Sequence, residues 1–355
     1  MIKSLKVLGL MIGLLVVLGL ISGCWRSAQY LKPPGDAAHH GEKQFISRAQ
    51  NSSPLLSYLR MRWREGTFVQ PENEMVMKQQ QSIDMALLQA PAALPRFTWL
   101  GHATVLIQFQ DVTILTDPHL SALASPVGLG GPERLIPPAL SVDQLPSVDV
   151  VVISHNHYDH LDHETVIKLG NQVTWLVPWG LKQWFLKRDI DEQRVIEMDW
   201  WQTHQYNEFT TVTATPTRHW SKRTPFDTNK TLWNSWHVNI DGFKVWFAGD
   251  TGYEADYFRR IGEQLGPHDL SLIPIGAYGP EYFMLPQHVN PSQAVQIHQD
   301  VRSNLSLGIH WGTFLLTHEP YLEPKEWLER EVMSTPELKP FITMKVGETR
   351  ILSPP

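Results

Sequence analysis

Cysteine and excess positive charge are both scarce in this sequence. Cys24 is the only cysteine among 355 residues, so the chain cannot form an internal disulfide or a zinc site built from thiolates. The 30 lysines and arginines are outnumbered by 36 aspartates and glutamates, which gives a net charge of -6. A surface without a basic excess does not attract polyanions, and we therefore expect no nucleic-acid partner. Because 42% of the residues are hydrophobic and 19% are charged, the chain can still bury a sizeable core.

Residues 1–24 have the order of a secretory signal. Two lysines precede the uncharged apolar run 7–21, and small residues follow it. The tetrad Ile21-Ser22-Gly23-Cys24 resembles a bacterial lipobox, which implies that Cys24 is lipidated and forms the mature N-terminus. An uncleaved membrane anchor and a buried helix are the two alternatives. Trp25, in place of an aspartate, favours an outer-membrane lipoprotein over inner-membrane anchoring, so we expect a membrane-attached protein of the bacterial cell envelope.

Residues 25–95 are interpreted as an N-terminal tether and extension. The first part is polar and interrupted by Pro33-Pro34-Gly35, which is typical of a linker, and we expect His39 and His40 to be solvated. Residues 56–63 place apolar side chains at helical spacing between arginines. A docking helix or a membrane-surface helix would have this pattern, but packing against the core is favoured.

Residues 96–355 show the pattern of one large α/β domain. Short apolar segments separated by turns predict strands at 97–107, 112–118, 148–152, 173–177, 209–215, 236–240, 244–248, 270–274 and 305–309. A helix should begin at Asp162 or His163, and another should cover 291–301 with Asn290 as its N-cap. Asp117, at the end of the second strand, either orients a metal-bound histidine or only forms a turn.

The densest group of potential metal ligands follows the predicted strand at 148–152. His155, His157, Asp159 and His160 supply three imidazoles and a carboxylate within six residues. Neutral imidazole nitrogens and carboxylate oxygens suit zinc and related divalent ions. We therefore predict a metal site at the end of this strand.

Three later strands each end in a further candidate ligand, and these are His219, Asp250 and His310. Loops at strand ends are where a rigid sheet presents functional side chains. Seven ligands exceed what one tetrahedral ion needs, which indicates a site with two metal ions. A carboxylate has two oxygens to share, so Asp250 is best suited to bridge them.

Longer motifs around these residues carry a family resemblance that extends in consistent order over roughly residues 95–330. The motifs are His219-Trp220-Ser221-Lys222-Arg223-Thr224-Pro225, Leu232-Trp233-Asn234-Ser235-Trp236, Phe247-Ala248-Gly249-Asp250-Thr251-Gly252-Tyr253, Ile273-Pro274-Ile275-Gly276-Ala277-Tyr278 and Ile309-His310-Trp311-Gly312-Thr313-Phe314. Together with Asp117 and the 155–160 loop, they resemble the N-acylphosphatidylethanolamine-hydrolysing phospholipase D family of the metallo-β-lactamase superfamily.

The resemblance implies an αββα sandwich, in which two packed sheets carry helices outside, and a dinuclear zinc site, with other divalent metals as alternatives. By the family pattern one zinc is held by His155, His157 and His219, the other by Asp159, His160 and His310, and Asp250 bridges them. Asp159, Gln287 and His288 are the candidate catalytic residues. Family likeness also suggests a homodimer.

The activity that the resemblance implies is hydrolysis of an N-acylphosphatidylethanolamine-like phospholipid to phosphatidic acid and an N-acylethanolamine. A hydroxide shared by the two zincs would attack the phosphorus. His288 would hydrogen-bond a phosphoryl oxygen or protonate the departing alkoxide, and the alternative is that it only packs. Membrane attachment through the N-terminus agrees with a phospholipid substrate.

Two other classes of function stay open. A lactonase or another small-molecule ester hydrolase of the same fold would use the same metals to polarise a carbonyl group. A nuclease is disfavoured by the acidic net charge and by the export signal. A non-enzymatic envelope lipoprotein would use the metals only to stabilise its fold, and its metal site would then be closed to water.

Overall fold

Two seven-stranded sheets pack face to face, and helices cover their outer faces. The computed structural model describes residues 27–49, 54–125 and 131–352. The predicted signal and Cys24 lie outside the described residues. The predicted α/β class and the αββα sandwich are confirmed, because one apolar core lies between the sheets and a second lies between the first sheet and its helices.

Each sheet combines antiparallel and parallel pairs. The first has the order β14-β1-β2-β3-β4-β5-β6, and the second has the order β13-β12-β11-β10-β9-β8-β7. The strands of the first sheet are β1 (Ala92–Gly101), β2 (Thr104–Gln110), β3 (Val112–Thr116), β4 (Val150–Val152), β5 (Thr174–Pro178), β6 (Val195–Met198) and β14 (Thr349–Ile351). Those of the second are β7 (Thr203–Gln205), β8 (Thr210–Thr215), β9 (Ser235–Ile240), β10 (Phe243–Phe247), β11 (Leu270–Pro274), β12 (Ser306–Ile309) and β13 (Phe341–Ile342).

The helices begin where the sequence supplies caps. Asn290 accepts a hydrogen bond from Gln293 N–H, so the predicted N-cap is confirmed. The helix predicted to begin at Asp162 or His163 begins at His163, and Asp162 caps it by accepting hydrogen bonds from its first turn. The described helices are α1 (Pro54–Glu65), α2 (Asn73–Met77), α3 (Met85–Gln89), α4 (His163–Leu169), α5 (Lys182–Leu186), α6 (Ala255–Gln264), α7 (Glu281–Met284), α8 (Pro291–Asp300) and α9 (Glu323–Ser334).

Strand β4 illustrates how the sequence pattern produces the layers. Its three valines are fully buried. Val150 and Val152 join the core between the sheets, whereas Val151 joins the core that Val166 of α4 and Phe185 of α5 cover. Successive side chains of a strand point to opposite faces, so an unbroken apolar run places a strand in the middle of three layers. Burying each valine contributes about 2 kcal/mol.

The segment predicted as one strand at 97–107 is two antiparallel strands. β1 and β2 pair directly across a tight turn at Gly101 and His102, whose φ angles are +107° and +52°. The apolar run hid this turn, because residues on both sides of it are strand formers. β1 also begins at Ala92, four residues before the domain boundary that the sequence suggested.

The prediction that His39 and His40 are solvated linker residues is wrong. The side chain of His40 is 1% exposed and that of His39 is 11% exposed, and each places Nε2 2.7 Å from a different carboxylate oxygen of Asp199. Phe45 is fully buried against Trp233 and its neighbours. Residues 27–49, which we call the N-terminal strap, therefore pack on the two-sheet domain.

Helix α1 also differs from the prediction that it packs against the core. Met61 is buried, but Leu56, Leu59 and Trp63 are 72%, 53% and 89% exposed. Within the described ranges, no helix has both the length and the apolar character needed to cross a bilayer. The helix thus leaves an apolar surface uncovered beside basic residues.

A buried histidine pair between β9 and the start of β11 should make the fold sensitive to acid. His268 Nδ1 donates to the Val301 carbonyl (2.8 Å), and its Nε2 lies 3.1 Å from His237 Nδ1. Burial lowers the pKa of His268 to about 4 and that of His237 to about 3. An unfolded histidine has a pKa of about 6.5, so the unfolded chain takes up these protons first, and stability is lost as the pH falls below 6.5.

We predict that His237→Gln loses less stability on acidification than the unmodified protein does. The expected difference in the change of unfolding free energy between pH 6.5 and pH 4.5 is about 2 to 3 kcal/mol, because one buried titrating group is removed. Urea unfolding at the two pH values measures it. Identical losses in the two proteins would contradict the assignment.

Candidate metal centre

The predicted ligands converge at the edge where strands of both sheets end. The 155–160 loop follows β4, His219 follows β8, Asp250 follows β10 and His310 follows β12. Parallel strands point their carboxyl ends to one edge, so ligands far apart in sequence meet there. The structure brings all seven predicted metal ligands together, and all of them except Asp159 and His157 are almost fully buried.

Three imidazoles form the first group of donors. His155 Nε2 lies 2.8 Å from His157 Nδ1, and His219 Nε2 lies 3.3 Å from the same atom. His219 donates its Nδ1 proton to the Gln287 carbonyl (2.9 Å), which leaves the lone pair of Nε2 facing the group. Burial lowers the pKa of His157 to about 4 and holds those of His155 and His219 well below their usual value. All three rings are therefore neutral near pH 7, the form that binds a metal.

The second group contains a residue that the sequence interpretation missed. Asp159, His160 and His310 lie with His102, whose Nε2 is 2.9 Å from Asp159 Oδ2. His160 Nε2 and His310 Nε2 are 3.1 Å apart. His102 sits in the turn between β1 and β2, and Gly101 before it was the only signal of that turn in the sequence. The ring of His102 holds Asp159 toward the site.

Asp250 lies between the two groups. Its Oδ2 is 3.1 Å from His160 Nε2, and its Oδ1 is 3.1 Å from His310 Nε2. Oδ2 is also 3.9 Å from His155 Nε2 and 3.8 Å from His219 Nε2. The carboxylate thus faces both groups, which is the placement that a bridging ligand needs.

The charges of the second group explain why a cation belongs there. Burial raises the pKa of Asp250, but His160 and His310 outweigh that effect and hold it well below its usual value. Burial lowers the pKa of His310, but Asp250 and Asp159 outweigh that effect and raise it to about 9. The buried Asp250 and the partly buried Asp159 require positive charge beside them, and a divalent cation supplies it as well as protons do.

The donor set fits divalent metal ions. Within the part of the chain that the structure describes, the buried Nδ1 of His288, which faces Asp250 Oδ2 at 3.9 Å, has no hydrogen-bond partner. Two clusters of imidazole nitrogens and carboxylate oxygens, joined by Asp250, offer enough donors for two ions. Ligation by each residue stays a prediction.

Asp117 supports the site from behind. Its Oδ1 accepts a hydrogen bond from Ser154 N–H (2.6 Å), and its Oδ2 lies 2.6 Å from His160 Nδ1. Of the two roles considered for Asp117, orienting a ligand histidine is the one observed. Glycine at position 249 lets the end of β10 approach Ser154 closely, because a Cβ atom at this position would lie only 2.5 Å from the Cβ atom of Ser154.

Gln287 and His288 both border the site, but differently. The Gln287 backbone carbonyl orients His219, while His288 Nδ1 faces Asp250 Oδ2 at 3.9 Å. The ring centroid of His288 is 5.3 Å from that of His219. A group bound beside Asp250 would be within reach of His288. The catalytic roles proposed for Asp159, Gln287 and His288 stay predictions.

The centre opens into a cavity of about 1440 Å³. His157, Asp159 and Asp250 form part of its wall, so solvent and ligands reach the donors. Apolar side chains from separate parts of the chain line the rest, including Leu31, Met61, Trp184, Phe283 and Leu316. A metal that only stabilised the fold would be enclosed, and this opening therefore favours catalysis.

The fold and the site together define a metal-dependent hydrolase of the beta-lactamase superfamily, whose domain model matches residues 112–311. A metallo hydrolase from the archaeon Ignicoccus hospitalis shares this fold, with a TM-score of 0.56 and 21% identity over 74% of this chain and 99% of that chain.

The N-acyl-phosphatidylethanolamine-hydrolyzing phospholipase D 1 of Caenorhabditis elegans is 41% identical over 263 residues, which cover 71% of this chain and 74% of that protein. The mitochondrial enzyme with the corresponding name in Saccharomyces cerevisiae is 40% identical over 239 residues, 65% of this chain and half of that protein. The chain belongs to this family of phospholipase D-type hydrolases. The resemblance drawn from the motifs is confirmed.

Replacing Asp250 by Asn should lower metal content and activity together, because the amide removes the negative charge that faces both groups of donors. We expect the bound metal to fall by about one ion per chain or more, and activity to fall roughly 100-fold or more. Elemental analysis and a hydrolysis assay measure the two effects. Asp143→Asn, at an exposed position, is the control. Full metal content and activity in a folded Asp250→Asn protein would contradict the bridging position.

His102→Gln tests the residue that the sequence interpretation missed. Because His102 orients Asp159, we expect about a 10- to 100-fold loss of activity and weaker binding of one metal ion. Competition with a chromogenic chelator measures the affinity. His204→Gln on the edge strand β7 serves as the matched control. If both variants behaved like the unmodified protein, His102 would have no part in the centre.

Proposed function

We propose that this protein is a dinuclear zinc phosphodiesterase that hydrolyses N-acylphosphatidylethanolamine-like phospholipids to phosphatidic acid and an N-acylethanolamine. The observation that carries the proposal is the large, mainly apolar cavity whose wall includes the metal-binding residues. The names of the relatives in worm and yeast support the same substrate class.

The cavity suits a molecule that has both a phosphate and long apolar chains. Its volume of about 1440 Å³ exceeds the range of about 300 to 1,000 Å³ that is common for small-molecule sites. Lys222 lines the cavity, and its backbone N–H donates to Asn156 Oδ1 in the metal-binding loop (2.8 Å). A cationic side chain beside the centre would favour a phosphodiester over a neutral lactone.

The residues of the site have different roles in the proposed reaction. The metal ions, when bound, supply positive charge for the phosphoryl oxygens and a water molecule of lowered pKa. Asp117 and His102 hold ligands of the second group in position through their hydrogen bonds. His288, whose Nδ1 lies 3.9 Å from Asp250 Oδ2, would donate a hydrogen bond to a phosphoryl oxygen or pass a proton to the departing alkoxide.

A membrane-attached location in the bacterial envelope, through lipid on Cys24, is part of this proposal. The exposed Leu56, Leu59 and Trp63 of α1 support contact with a lipid surface, and Met61 of the same helix lines the cavity. The arginines of α1 would favour anionic headgroups. A phospholipid could then pass from the bilayer to the centre along one continuous surface.

The test is hydrolysis by purified, metal-loaded protein in mixed micelles, with N-acylphosphatidylethanolamine, plain phosphatidylethanolamine and a lactone as substrates. We expect release of N-acylethanolamine that a chelator abolishes and zinc restores. The Asp250→Asn protein provides the blank. Turnover of the lactone without cleavage of either phospholipid would overturn the proposed substrate and leave a small-molecule hydrolase.

A further inference from the structure

The N-terminal strap reaches into the active site from outside the two-sheet domain. It contacts residues 219–230, the segment that begins with the metal-binding His219. The contacts are Ser27 Oγ to Thr224 Oγ1 (2.7 Å), Ala28 N to Asp227 Oδ2 (3.4 Å), Phe45 N to Asn229 O (2.8 Å), Lys230 Nζ to Lys43 O (2.5 Å) and Ser47 Oγ to His219 O (2.5 Å). The strap therefore touches this segment along most of its length.

The same segment in turn holds the metal-binding loop. Lys222 N–H donates to Asn156 Oδ1 (2.8 Å), and Arg223 Nη1 donates to the Asn156 carbonyl (3.1 Å). Asn156 lies between the donors His155 and His157. The strap thus contacts the segment that contains His219, and that segment contacts the loop that contains His155 and His157.

The first residues of the strap form part of the cavity wall. Ser27, Ala28, Gln29 and Leu31 all line the cavity. The Leu31 carbonyl accepts a hydrogen bond from Trp179 Nε1 (2.9 Å), which fixes the backbone, while its side chain is 48% exposed. An immobilised leucine that faces an apolar cavity is suited to contact an apolar chain of the substrate.

His39, His40 and Asp199 form a polar cluster, which we call the clasp, that holds the strap a few residues further along the chain. His39 Nε2 lies 2.7 Å from Asp199 Oδ1 and His40 Nε2 lies 2.7 Å from Asp199 Oδ2, just after the end of β6. Burial raises the pKa of the Asp199 carboxyl, but its hydrogen bonds with His39, Trp200 N–H and His40 outweigh that effect and hold it below its usual value. Phe45 anchors the far side of the clasp in an apolar pocket.

We propose that Leu31 is a specificity-determining residue for the apolar chain of the substrate, and that the clasp of His39, His40 and Asp199 positions it. This inference rests on the proposed function, because it takes the apolar chain of the substrate to be an acyl chain. A methylene that is buried against an apolar wall changes binding by about fourfold, so a wall residue alters the ranking of chain lengths. The clasp acts only through the strap, and its residues do not contact the substrate.

The first experiment compares chain-length preference in Leu31→Trp and Ile46→Trp. Ile46 lies on the same strap, is 54% exposed and does not line the cavity, which makes it the matched control. We measure kcat/KM for N-acylphosphatidylethanolamines with acyl chains of about 12 to about 20 carbons, because each buried methylene changes binding by about fourfold. Leu31→Trp should shift the ratio between short and long chains about tenfold toward short ones, while Ile46→Trp leaves it unchanged. An unchanged ratio in both variants would overturn the role of Leu31.

A second measurement does not depend on turnover. In the full-length chain with Cys24→Ser, Leu31→Cys supplies a single thiol for a bimane fluorophore, and Ile46→Cys supplies it for the control. An N-acylethanolamine with a brominated chain should quench the first label saturably and leave the second almost unaffected. Equal quenching at both positions, or none at either, contradicts the inference. Saturable quenching at residue 31 without any phospholipid hydrolysis would overturn the proposed function while supporting the apolar wall.

Asp199→Asn tests the clasp. The amide weakens both histidine contacts, so the strap should loosen and trypsin should cleave at Lys43 or Arg48 at least about tenfold faster. We expect KM to rise about tenfold while kcat stays within twofold and metal content is unchanged, which separates positioning from general damage to the fold. Unchanged KM together with unchanged trypsin cleavage would overturn the clasp. A proportional fall in kcat and metal content would instead assign Asp199 to the stability of the metal centre.

Discussion

The active site depends on buried carboxylates at the edge where both sheets end. Asp117 and Asp250 are buried, and an isolated buried carboxylate is strongly destabilising. Asp117 is satisfied by Ser154 and His160, and Asp250 lies 3.1 Å from His160 and from His310. His160 connects the two carboxylates. The requirement to compensate these charges holds the loops from the two sheets in one arrangement, and that arrangement is the set of donors that metals need.

The cavity wall around this charged centre is mainly apolar. The combination of a charged centre and an apolar wall determines which ligands the cavity suits. The cavity carries the candidate metal ligands in one part of its wall and apolar side chains from the strap, α1 and α7 in others. The proposed substrate, which has a compact anionic group and long hydrocarbon chains, matches this combination. The proposed phospholipid substrate, the exposed apolar face of α1 and the position of Leu31 all follow from the same property.

The sequence predicted well which side chains meet at this sheet edge, because local patterns report strand ends. An apolar run such as Val150–Val152 marks a buried strand, and His155, His157 and Asp159 follow it at once. The sequence predicted less where an apolar run continues through a turn, as it does around His102. It also failed for His39 and His40, because their polar, proline-interrupted surroundings look like a linker whether or not a distant Asp199 accepts their hydrogen bonds.

By itself the sequence determined the layers, the strand ends and the residue types available at each, since these depend on side-chain periodicity and on neighbours a few positions away. Only the tertiary structure decided which residues far apart in the chain meet and which apolar side chains stay exposed. The pairing of His102 with Asp159, the packing of the strap against residues 219–230 and the exposure of Trp63 are of this kind. Such contacts depend on how two sheets close over one another, and no local pattern in the chain records that geometry.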